Sequence, residues 1–274
     1  MNGCSVLDIG IGKGGDLWKY SKQKISYIIG VDNEKFLLSD AEDCALTRWK
    51  QIIASSTSTL PTCVFVHMDG RSNIYENLKS KNIDMDFDVV NCFFAIHYFF
   101  RDEPTLSSFL QNVNEMLTFN GFFVGTLVDG KTVHENLIEC DNNFTDSSDN
   151  QPKKHCTYSI KGVYNVKQQL SQLSPYGNQI DVFLNDSIIH DYDHLQPFTK
   201  KEYLVNFDKF VEIAKHFGLE LVDSCLFNEY YQNYNGASLN SNEQRFSFIN
   251  RTFVFKKVSN SKYHQNNIVA KLGK

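Results

Sequence analysis

The feature that most limits how this chain can fold is the alternation of apolar strands with amphipathic helices along its first half. Each predicted strand is apolar along its whole length, and helix-length segments at 35–53 and 106–117 lie between strands. Strands that are apolar on both faces are typical of a parallel sheet covered by helices on each side. We therefore predict an α/β fold with a doubly wound, mostly parallel seven-stranded sheet. The first five predicted strands are 4–10, 25–32, 63–69, 87–100 and 121–129.

The pattern changes between about residues 140 and 200, where Asp, Asn, Ser and Lys are frequent and only short aromatic runs occur. A stretch this long inside a compact domain is usually a functional insertion. We expect a few antiparallel strands there, with a mobile segment at about 141–154. Helical periodicity then follows from 201 until Gly218. Two closing strands (219–227 and 246–257, with a loop at 233–244), complete a predicted single domain over 1–257, followed by a polar tail at 258–274.

The composition excludes several classes of protein. The 274 residues are 42% apolar and 22% charged, which is ordinary for a globular chain with a full core. No window approaches the roughly 18 apolar residues of a membrane helix, and the first strand starts too early to leave room for a secretory leader. Seven cysteines, an odd number without a Cys-x-x-Cys pair, favour a reducing, cytoplasmic compartment. A net charge of −5 means that any polyanion would need a local basic pocket.

A glycine-rich loop, DIGIGKGGD, follows the first predicted strand and precedes a helix. Glycines at 10, 12, 14 and 15 let the backbone turn tightly and approach a ligand closely. Asp32 ends the second strand, where a carboxylate can accept from both hydroxyls of a ribose, and Asp69 ends the third. We expect these groups at one carboxyl edge of the sheet, where such folds bind ligands.

Two ligands suit this loop. A dinucleotide site uses Gly-x-Gly-x-x-Gly and places a pyrophosphate on the helix N-terminus. An S-adenosylmethionine (SAM) site uses Asp-x-Gly-x-Gly. Here Asp8 opens the motif, the spacing is Gly-x-Gly-x-Gly-Gly, and Asp16 follows at once. Because a carboxylate suits the amine of methionine and repels a pyrophosphate, SAM is favoured, with a nicotinamide cofactor and a ligand-free turn as the alternatives.

Four ordered motifs together resemble one family. The glycine motif DIGIGKGGDLWKY with Lys13, the run FFAIHYFF with Phe94, His97 and Tyr98, the turn GTLVDG, and KEYLV with Glu202 are similar to those of the messenger-RNA cap guanine-N7 methyltransferases. The likeness is greatest to the methyltransferase domains of capping enzymes from large cytoplasmic DNA viruses. It extends from about residue 4 to 257 and implies a class I SAM-dependent methyltransferase fold.

The resemblance also implies roles for particular residues. His97, Tyr98 and Glu202 would line the guanine pocket, with Glu202 accepting from the N1 and the exocyclic amine. Lys13 would meet a cap phosphate, as would Arg48, which lies one turn from the family's usual arginine. The residues that would hold SAM are Asp8, Gly10, Gly12, Asp16, Asp32, Asp69, Gly70 and Phe93.

The chain departs from the family in ways that matter. Phe93 replaces the usual glutamine, so its cofactor contact would come from the backbone. The aromatic residue that often covers the guanine corresponds to Phe248 or Asn250. The family's helices before the first strand are missing, so we expect an excised C-terminal part of a larger capping enzyme, with upstream triphosphatase and guanylyltransferase domains or a stimulating subunit as partners.

The expected reaction is transfer of a methyl group from SAM to the N7 of a guanosine cap on RNA. N7 carries no proton, so the attack needs alignment and electrostatic support rather than a general base. The alternatives are a SAM-dependent enzyme with another substrate, a nicotinamide oxidoreductase and a non-catalytic cap-binding or partner-binding module. The pair His190 and His194 lacks a third clear ligand, so we expect no metal.

Overall fold

The computed structural model describes residues 3–146, 158–169, 173–184 and 199–259. In the first half, the strands are β1 (Cys4–Ile9), β2 (Ile25–Asp32), β3 (Thr62–His67), β4 (Phe87–Phe93) and β5 (Leu117–Val128), and the helices are α1 (Leu17–Tyr20), α2 (Ala45–Ser55), α3 (Ile74–Lys79) and α4 (Glu103–Met116). The second half contains α5 (Gly130–Glu139), β6 (Asn143–Thr145), β7 (Tyr158–Gly162), β8 (Gln179–Leu184), β9 (Lys200–Tyr203), α6 (Phe207–His216), β10 (Leu219–Leu226), α7 (Phe227–Tyr231), α8 (Ser241–Ser247) and β11 (Asn250–Lys257).

The main sheet has seven strands in the order β3-β2-β1-β4-β5-β11-β10. The first five are parallel, and β11 runs antiparallel to both of its neighbours. This confirms the predicted doubly wound, mostly parallel sheet. The strand order reverses between β1 and β4, where the connections leave toward opposite faces. Such a switch point opens a crevice at the carboxyl ends of the strands.

An aromatic cluster forms the centre of the main core. Phe123 of β5 contacts Phe109 of α4, Phe210 of α6, and Phe253 and Phe255 of β11, with ring centroids 5.0 to 6.3 Å apart. All five side chains are fully buried, and burying each one contributes about 1.5–3 kcal/mol. The cluster joins the antiparallel β11 to the helices on one face of the sheet. Much of the chain's high phenylalanine content is therefore core material.

The insertion forms a second, antiparallel sheet in the order β6-β7-β8-β9, as predicted for its described residues. Its apolar side packs with α5 into a separate core. The backbone N–H of Asp129 donates to the carbonyl of Ile249 at 2.7 Å, and that of Gly130 donates to the carbonyl of Val205 at 3.0 Å. The bond to Val205, just after β9, holds the small sheet at the carboxyl end of β5, and the bond to Ile249 joins that end to the residue before β11. Residues 147–154 of the segment expected to be mobile, and the tail from residue 260, lie outside the described residues.

Three predicted elements are corrected by the structure. The strand expected over 87–100 ends at Phe93, because Phe94 takes a φ of +51° and turns the chain into a 3₁₀ helix over Ile96–Phe99. The helix expected over 35–53 is divided into a π-helical turn (Phe36–Asp40) and α2, with extended backbone at Ala41 between them. The expected loop over 233–244 includes the start of α8.

The helix expected from residue 201 begins later. The side chain of Asn206 accepts from the backbone N–H of Lys209 at 3.1 Å and caps α6. Glu202 consequently lies on strand β9, and not in the first turn of a helix. Across the part of the chain that the structure describes, no helix combines the length and apolar character needed to cross a bilayer.

Candidate active site

A cavity of about 1040 Å³ lies at the carboxyl edge of the main sheet, next to the β1–β4 switch point. One side is lined by the glycine loop and the ends of β2, β3 and β4, which we call the donor wall. The other side is lined by the 3₁₀ helix, the small sheet and the residues around the start of β11, which we call the acceptor wall. Ligand pockets commonly measure about 300–1,000 Å³, so this cavity is at the large end of that range.

The glycine loop is held against β2 by backbone hydrogen bonds. The N–H groups of Gly10 and Ile11 both donate to the carbonyl of Val31, at 2.8 and 3.2 Å. Gly10 has a φ of +81°, and a Cβ there would approach the Cβ of Ala95 to 2.6 Å. The position therefore requires glycine for both conformation and space. The loop is thereby pressed against the turn that follows β4.

Asp32 connects the end of β2 to this loop. Its two carboxylate oxygens accept from the backbone N–H groups of Gly12 and Glu34, each at 2.8 Å. These bonds fix the orientation of the carboxylate where it lines the cavity. A carboxylate has about four acceptor positions, so both oxygens can still accept from hydroxyl groups of a ligand. The geometry suits the recognition of a ribose.

Two further carboxylates make the donor wall acidic. Asp8, at 3% exposure, lines the cavity, and burial raises its pKa to about 7, with the charges of Asp16 and Asp32 adding to this effect. Asp16 pairs with Lys19 at 2.6 Å. A bound cation favours the ionised form of such a buried carboxyl group, whereas a bound anion favours its protonated form. The ammonium of a methionine group fits this wall, and a pyrophosphate does not.

The far end of the donor wall contains Asp69 and Gly70, as expected, together with Arg71, which the sequence analysis missed. The Nε of Arg71 donates to both carboxylate oxygens of Asp69 at 2.9 Å, and this pairing lowers the pKa of Asp69. Phe93 also lines the cavity. Because Arg71 lies only two positions from Asp69, a search for a cation beside the acid could have identified it.

The acceptor wall brings together His97, Tyr98 and Glu202. The Nε2 of His97 lies 3.4 Å from Oε1 of Glu202, and each side chain is only 6% exposed. The rings of His97 and Tyr98 are 4.2 Å apart, and Tyr98 is partly exposed in the cavity. Burial lowers the pKa of His97 despite the opposing effect of Glu202, so its ring is neutral at pH 7. Within the described structure both ring nitrogens are buried and neither makes a hydrogen bond of good geometry.

Lys13 and Arg48, the two residues predicted to contact a cap phosphate, lie close to each other but are not part of the cavity lining. The Nζ of Lys13 lies 3.7 Å from Asp43, and Arg48 donates to both oxygens of Asp43 at 2.8 Å. These hydrogen bonds lower the pKa of Asp43. Lys13 directly follows Gly12, which lines the cavity. The expectation that both residues meet a phosphate stays a prediction.

The aromatic residue on the acceptor wall near the last strand is Phe246, which neither candidate position had indicated. Phe246 lines the cavity and packs on Tyr158, with ring centroids 4.6 Å apart. Phe248 packs instead on Tyr231, at 5.3 Å. Asn250 also lines the cavity, and its Nδ2 donates to the carbonyl of Phe246 at 3.2 Å. No local sequence signal distinguishes Phe246, because the end of α8 decides which aromatic reaches the cavity.

A metal site has no support among the described residues, which contain no group of three His, Cys, Asp or Glu side chains able to hold an ion. His190 and His194 lie outside the described residues, so the expectation for that pair is untested.

Solved structures with the same fold are methyltransferases. The chain is similar to a SAM-dependent methyltransferase from Clostridium acetobutylicum, with a TM-score of 0.53, 14% identity, and coverage of 93% of this chain and 84% of that one. It is also similar to the CcbJ methyltransferase from Streptomyces caelestis, with a TM-score of 0.56, 12% identity, and coverage of 94% and 85%. The fold is that of the class I SAM-dependent methyltransferases.

The family follows from sequence comparison. The model of the mRNA (guanine-N(7))-methyltransferase domain matches residues 1–266, and the chain belongs to this family. A probable mRNA-capping enzyme of Acanthamoeba polyphaga mimivirus is 28% identical over 251 residues, which cover 85% of this chain and 20% of the relative. The mRNA cap guanine-N(7) methyltransferase 1 of Oryza sativa subsp. japonica is 27% identical over 238 residues, covering 85% and 57%. The chain thus spans between a fifth and just over half the length of these relatives.

Proposed function

We propose that this domain transfers the methyl group of SAM to N7 of the guanosine cap of RNA. The observation that carries the proposal is that a single cavity has an acidic donor wall and, facing it, an acceptor wall with the buried Glu202 and His97. One wall suits a cationic methionine group with its ribose, and the other suits a purine with N–H donors. Membership of the cap methyltransferase family supports the same substrate.

On the donor wall, Gly10 and Gly12 allow the cofactor to lie against the backbone of the loop. Asp32 receives the ribose hydroxyls, while Asp8 and Asp16 face the methionine ammonium. The adenine end of the cavity consists of Asp69, Gly70 and the backbone of Phe93, with Arg71 fixing the carboxylate of Asp69. When bound, SAM supplies an electrophilic methyl group on a sulfonium.

On the acceptor wall, Glu202 accepts from the N1–H and the exocyclic amine of the guanine. The neutral ring of His97 and the phenol of Tyr98 set the plane of the base, and Phe246 covers one side of the slot. The triphosphate then extends toward Lys13 and Arg48. These cations exchange part of their contact with Asp43 for phosphate oxygens, which arginine can also pair with in a bidentate manner.

The chemistry requires no proton transfer in the methylation step. With SAM held by Asp8, Asp16 and Asp32, its methyl group would pass to the lone pair of N7 as the C–S bond breaks and its electron pair returns to sulfur. The positive charge of the sulfonium would thereby move to the guanine. The residues of this chain contribute by holding N7 and the methyl carbon in line, a contribution that can reach about 7–11 kcal/mol in well-oriented reactions. His97, Tyr98 and Glu202 act by positioning the base.

We further propose that residues 1–257 act as one domain beside triphosphatase and guanylyltransferase activities, or with a stimulating subunit, in the cytoplasm. The match to a fifth of a viral capping enzyme supports an association with larger capping proteins. The odd number of cysteines supports a reducing compartment. Pull-down of this chain with separately expressed guanylyltransferase domains, followed by a methylation assay, tests the association.

The direct test uses SAM with a radioactive methyl group and four acceptors: the cap dinucleotide GpppA, capped RNA, GTP and uncapped RNA. We expect label to enter GpppA and capped RNA, and nuclease digestion to place it on N7 of guanine. Calorimetry with SAM, S-adenosylhomocysteine and NAD distinguishes the cofactors independently. Binding of SAM with transfer only to a different acceptor would overturn the cap proposal, and binding of both SAM and cap without transfer would indicate a non-catalytic module.

A further inference from the structure

A buried hydrogen-bond chain lies behind the donor wall, and the function proposed above gives no role to two of its three residues, Tyr20 and Asn91. The hydroxyl of Tyr20 donates to Oδ2 of Asp8 at 2.8 Å, and Nδ2 of Asn91 donates to the oxygen of the same hydroxyl at 2.8 Å. The three residues come from α1, β1 and β4, and they are 7%, 3% and 5% exposed. Of the three, only Asp8 lines the cavity.

The direction of these bonds has a chemical consequence. Because the Asn91 amide donates to the Tyr20 oxygen, the hydroxyl proton remains available to Asp8. A hydroxyl that receives one hydrogen bond donates a second more strongly. A hydrogen bond donated to a carboxyl oxygen favours the ionised form, whereas burial and the neighbouring Asp16 and Asp32 favour the protonated form. Tyr20 therefore opposes the main influences that would neutralise Asp8.

We propose that Tyr20 is a positioning residue of the SAM site, which orients the carboxylate of Asp8 and keeps it charged for the methionine ammonium. The inference rests on the function proposed above, since it concerns the cofactor of that reaction. Burial raises the pKa of Tyr20 far above the physiological range, so the phenol remains a proton donor at every pH at which the enzyme is studied.

The two thiols near Asp8 do not change charge in the same range. The thiols of Cys63 on β3 and Cys92 on β4 both feel the charge of Asp8, and burial raises the pKa of each, that of Cys63 to about 12. Asp16 is paired with Lys19, and Asp32 accepts two backbone N–H groups. A change of cofactor affinity near pH 7 therefore reports on Asp8.

The test is calorimetry of S-adenosylhomocysteine with the wild type and Tyr20→Phe between pH 5.5 and 8.5. An ammonium ligand binds the ionised carboxylate, so wild-type affinity should rise with pH through about 7. Loss of the hydroxyl raises the pKa of Asp8 further. We expect Tyr20→Phe to weaken binding about tenfold at pH 7 and to move the midpoint of the profile to higher pH.

Two comparisons separate this role from a general loss of structure. The ligand 5′-methylthioadenosine lacks the methionine ammonium, so its affinity should be unchanged by Tyr20→Phe and flat with pH. In an Asp8→Asn background, Tyr20→Phe should have no further effect on S-adenosylhomocysteine. Tyr164→Phe is the matched control, since it removes a tyrosine hydroxyl bonded to His134 at 2.7 Å in the small-sheet core.

The inference is overturned if Tyr20→Phe weakens both ligands equally with an unmoved pH midpoint, or if it changes neither. If Tyr20→Phe does not fold, Asn91→Ala offers a milder change, and a lowered S-adenosylhomocysteine affinity without a loss of 5′-methylthioadenosine binding supports the proposal. Failure of the wild type to bind S-adenosylhomocysteine would instead refute the proposed function, and with it this inference.

Discussion

The donor and acceptor walls of the cavity are built in different ways. On the donor wall, one continuous motif supplies the glycine loop, and backbone hydrogen bonds to Val31 and Asp32 hold it in place. On the acceptor wall, the side chains come from segments far apart in sequence, and His97 meets Glu202 only because β9 lies beside the 3₁₀ helix after β4. The glycine loop of the donor wall is thus a local structure, and the acceptor wall is a tertiary one.

This difference determines what each wall tolerates. A ligand held by backbone groups and several separate carboxylates loses only part of its affinity when one side chain changes. A base held between a buried carboxylate and aromatic rings depends on each of them, because a buried polar group without its partner is costly. Substitutions on the acceptor wall should therefore affect the cap selectively, and substitutions on the donor wall should affect SAM.

The largest effect is expected for Glu202→Gln. The amide places a donor opposite the guanine's own N–H donors, so kcat/KM for GpppA should fall about 100-fold or more. SAM affinity, measured by calorimetry, should stay within about twofold of wild type because the donor wall is unchanged. A parallel loss of both affinities would mean that the two walls are not separate, and that Glu202 supports the whole cavity.

The second largest effect is expected for Asp32→Ala. Loss of two charge-assisted hydrogen bonds to the ribose should weaken SAM binding about 30-fold. The melting temperature should fall slightly, since the N–H groups of Gly12 and Glu34 lose their acceptor. Asp40→Asn, in the same connection but paired with Lys35, is the control and should bind SAM normally. Unchanged affinity in Asp32→Ala would contradict the ribose role.

A smaller effect is expected for Phe246→Ala. Removal of one stacking face should raise KM for GpppA about tenfold with little change in kcat at saturation. Phe248→Ala provides a matched control, because Phe248 packs on Tyr231 and is not part of the cavity lining. If Phe248→Ala has the stronger effect on KM, the guanine lies elsewhere on the acceptor wall.

The smallest effect is expected for Asp43→Asn. Asp43 is exposed, and its removal releases Lys13 and Arg48 from a competing anion, so KM for GpppA should fall about twofold at low ionic strength. The difference should vanish in high salt, where surface charges are screened. Glu42→Gln is the control. An increase in KM would show instead that Asp43 holds Lys13 and Arg48 in the orientation that binds the phosphates. Residues beside the donor wall would then also depend on side-chain contacts for their position.

Much of the sheet was predictable because its physical basis is local. Continuous apolar strands alternating with amphipathic helices indicate a parallel sheet, and a strand followed by glycines and strand-end acids indicates a ligand at its carboxyl edge. The structure places Asp8, Gly12, Asp32 and Asp69 in one lining, as those patterns predict.

The errors share a different cause. The apolar run from 87 to 100 looks like one long strand, yet tertiary packing turns it at Phe94 so that His97 and Tyr98 occupy a 3₁₀ helix. The segment with Glu202 has helical periodicity, but pairing with β8 makes it a strand. Short apolar segments satisfy both patterns, and the partner strand decides between them.

The amino-acid sequence by itself determined the class of fold and the ligand-binding edge of the sheet, because both follow from periodicity, glycines and carboxylates at short spacing. The resemblance of four ordered motifs indicated the family. Only the tertiary structure decided that Phe246 is the aromatic on the acceptor wall, that Lys13 and Arg48 share Asp43, and that Tyr20 and Asn91 support Asp8. Those contacts join residues from separate elements, and their hydrogen bonds form only after the sheets and helices have packed.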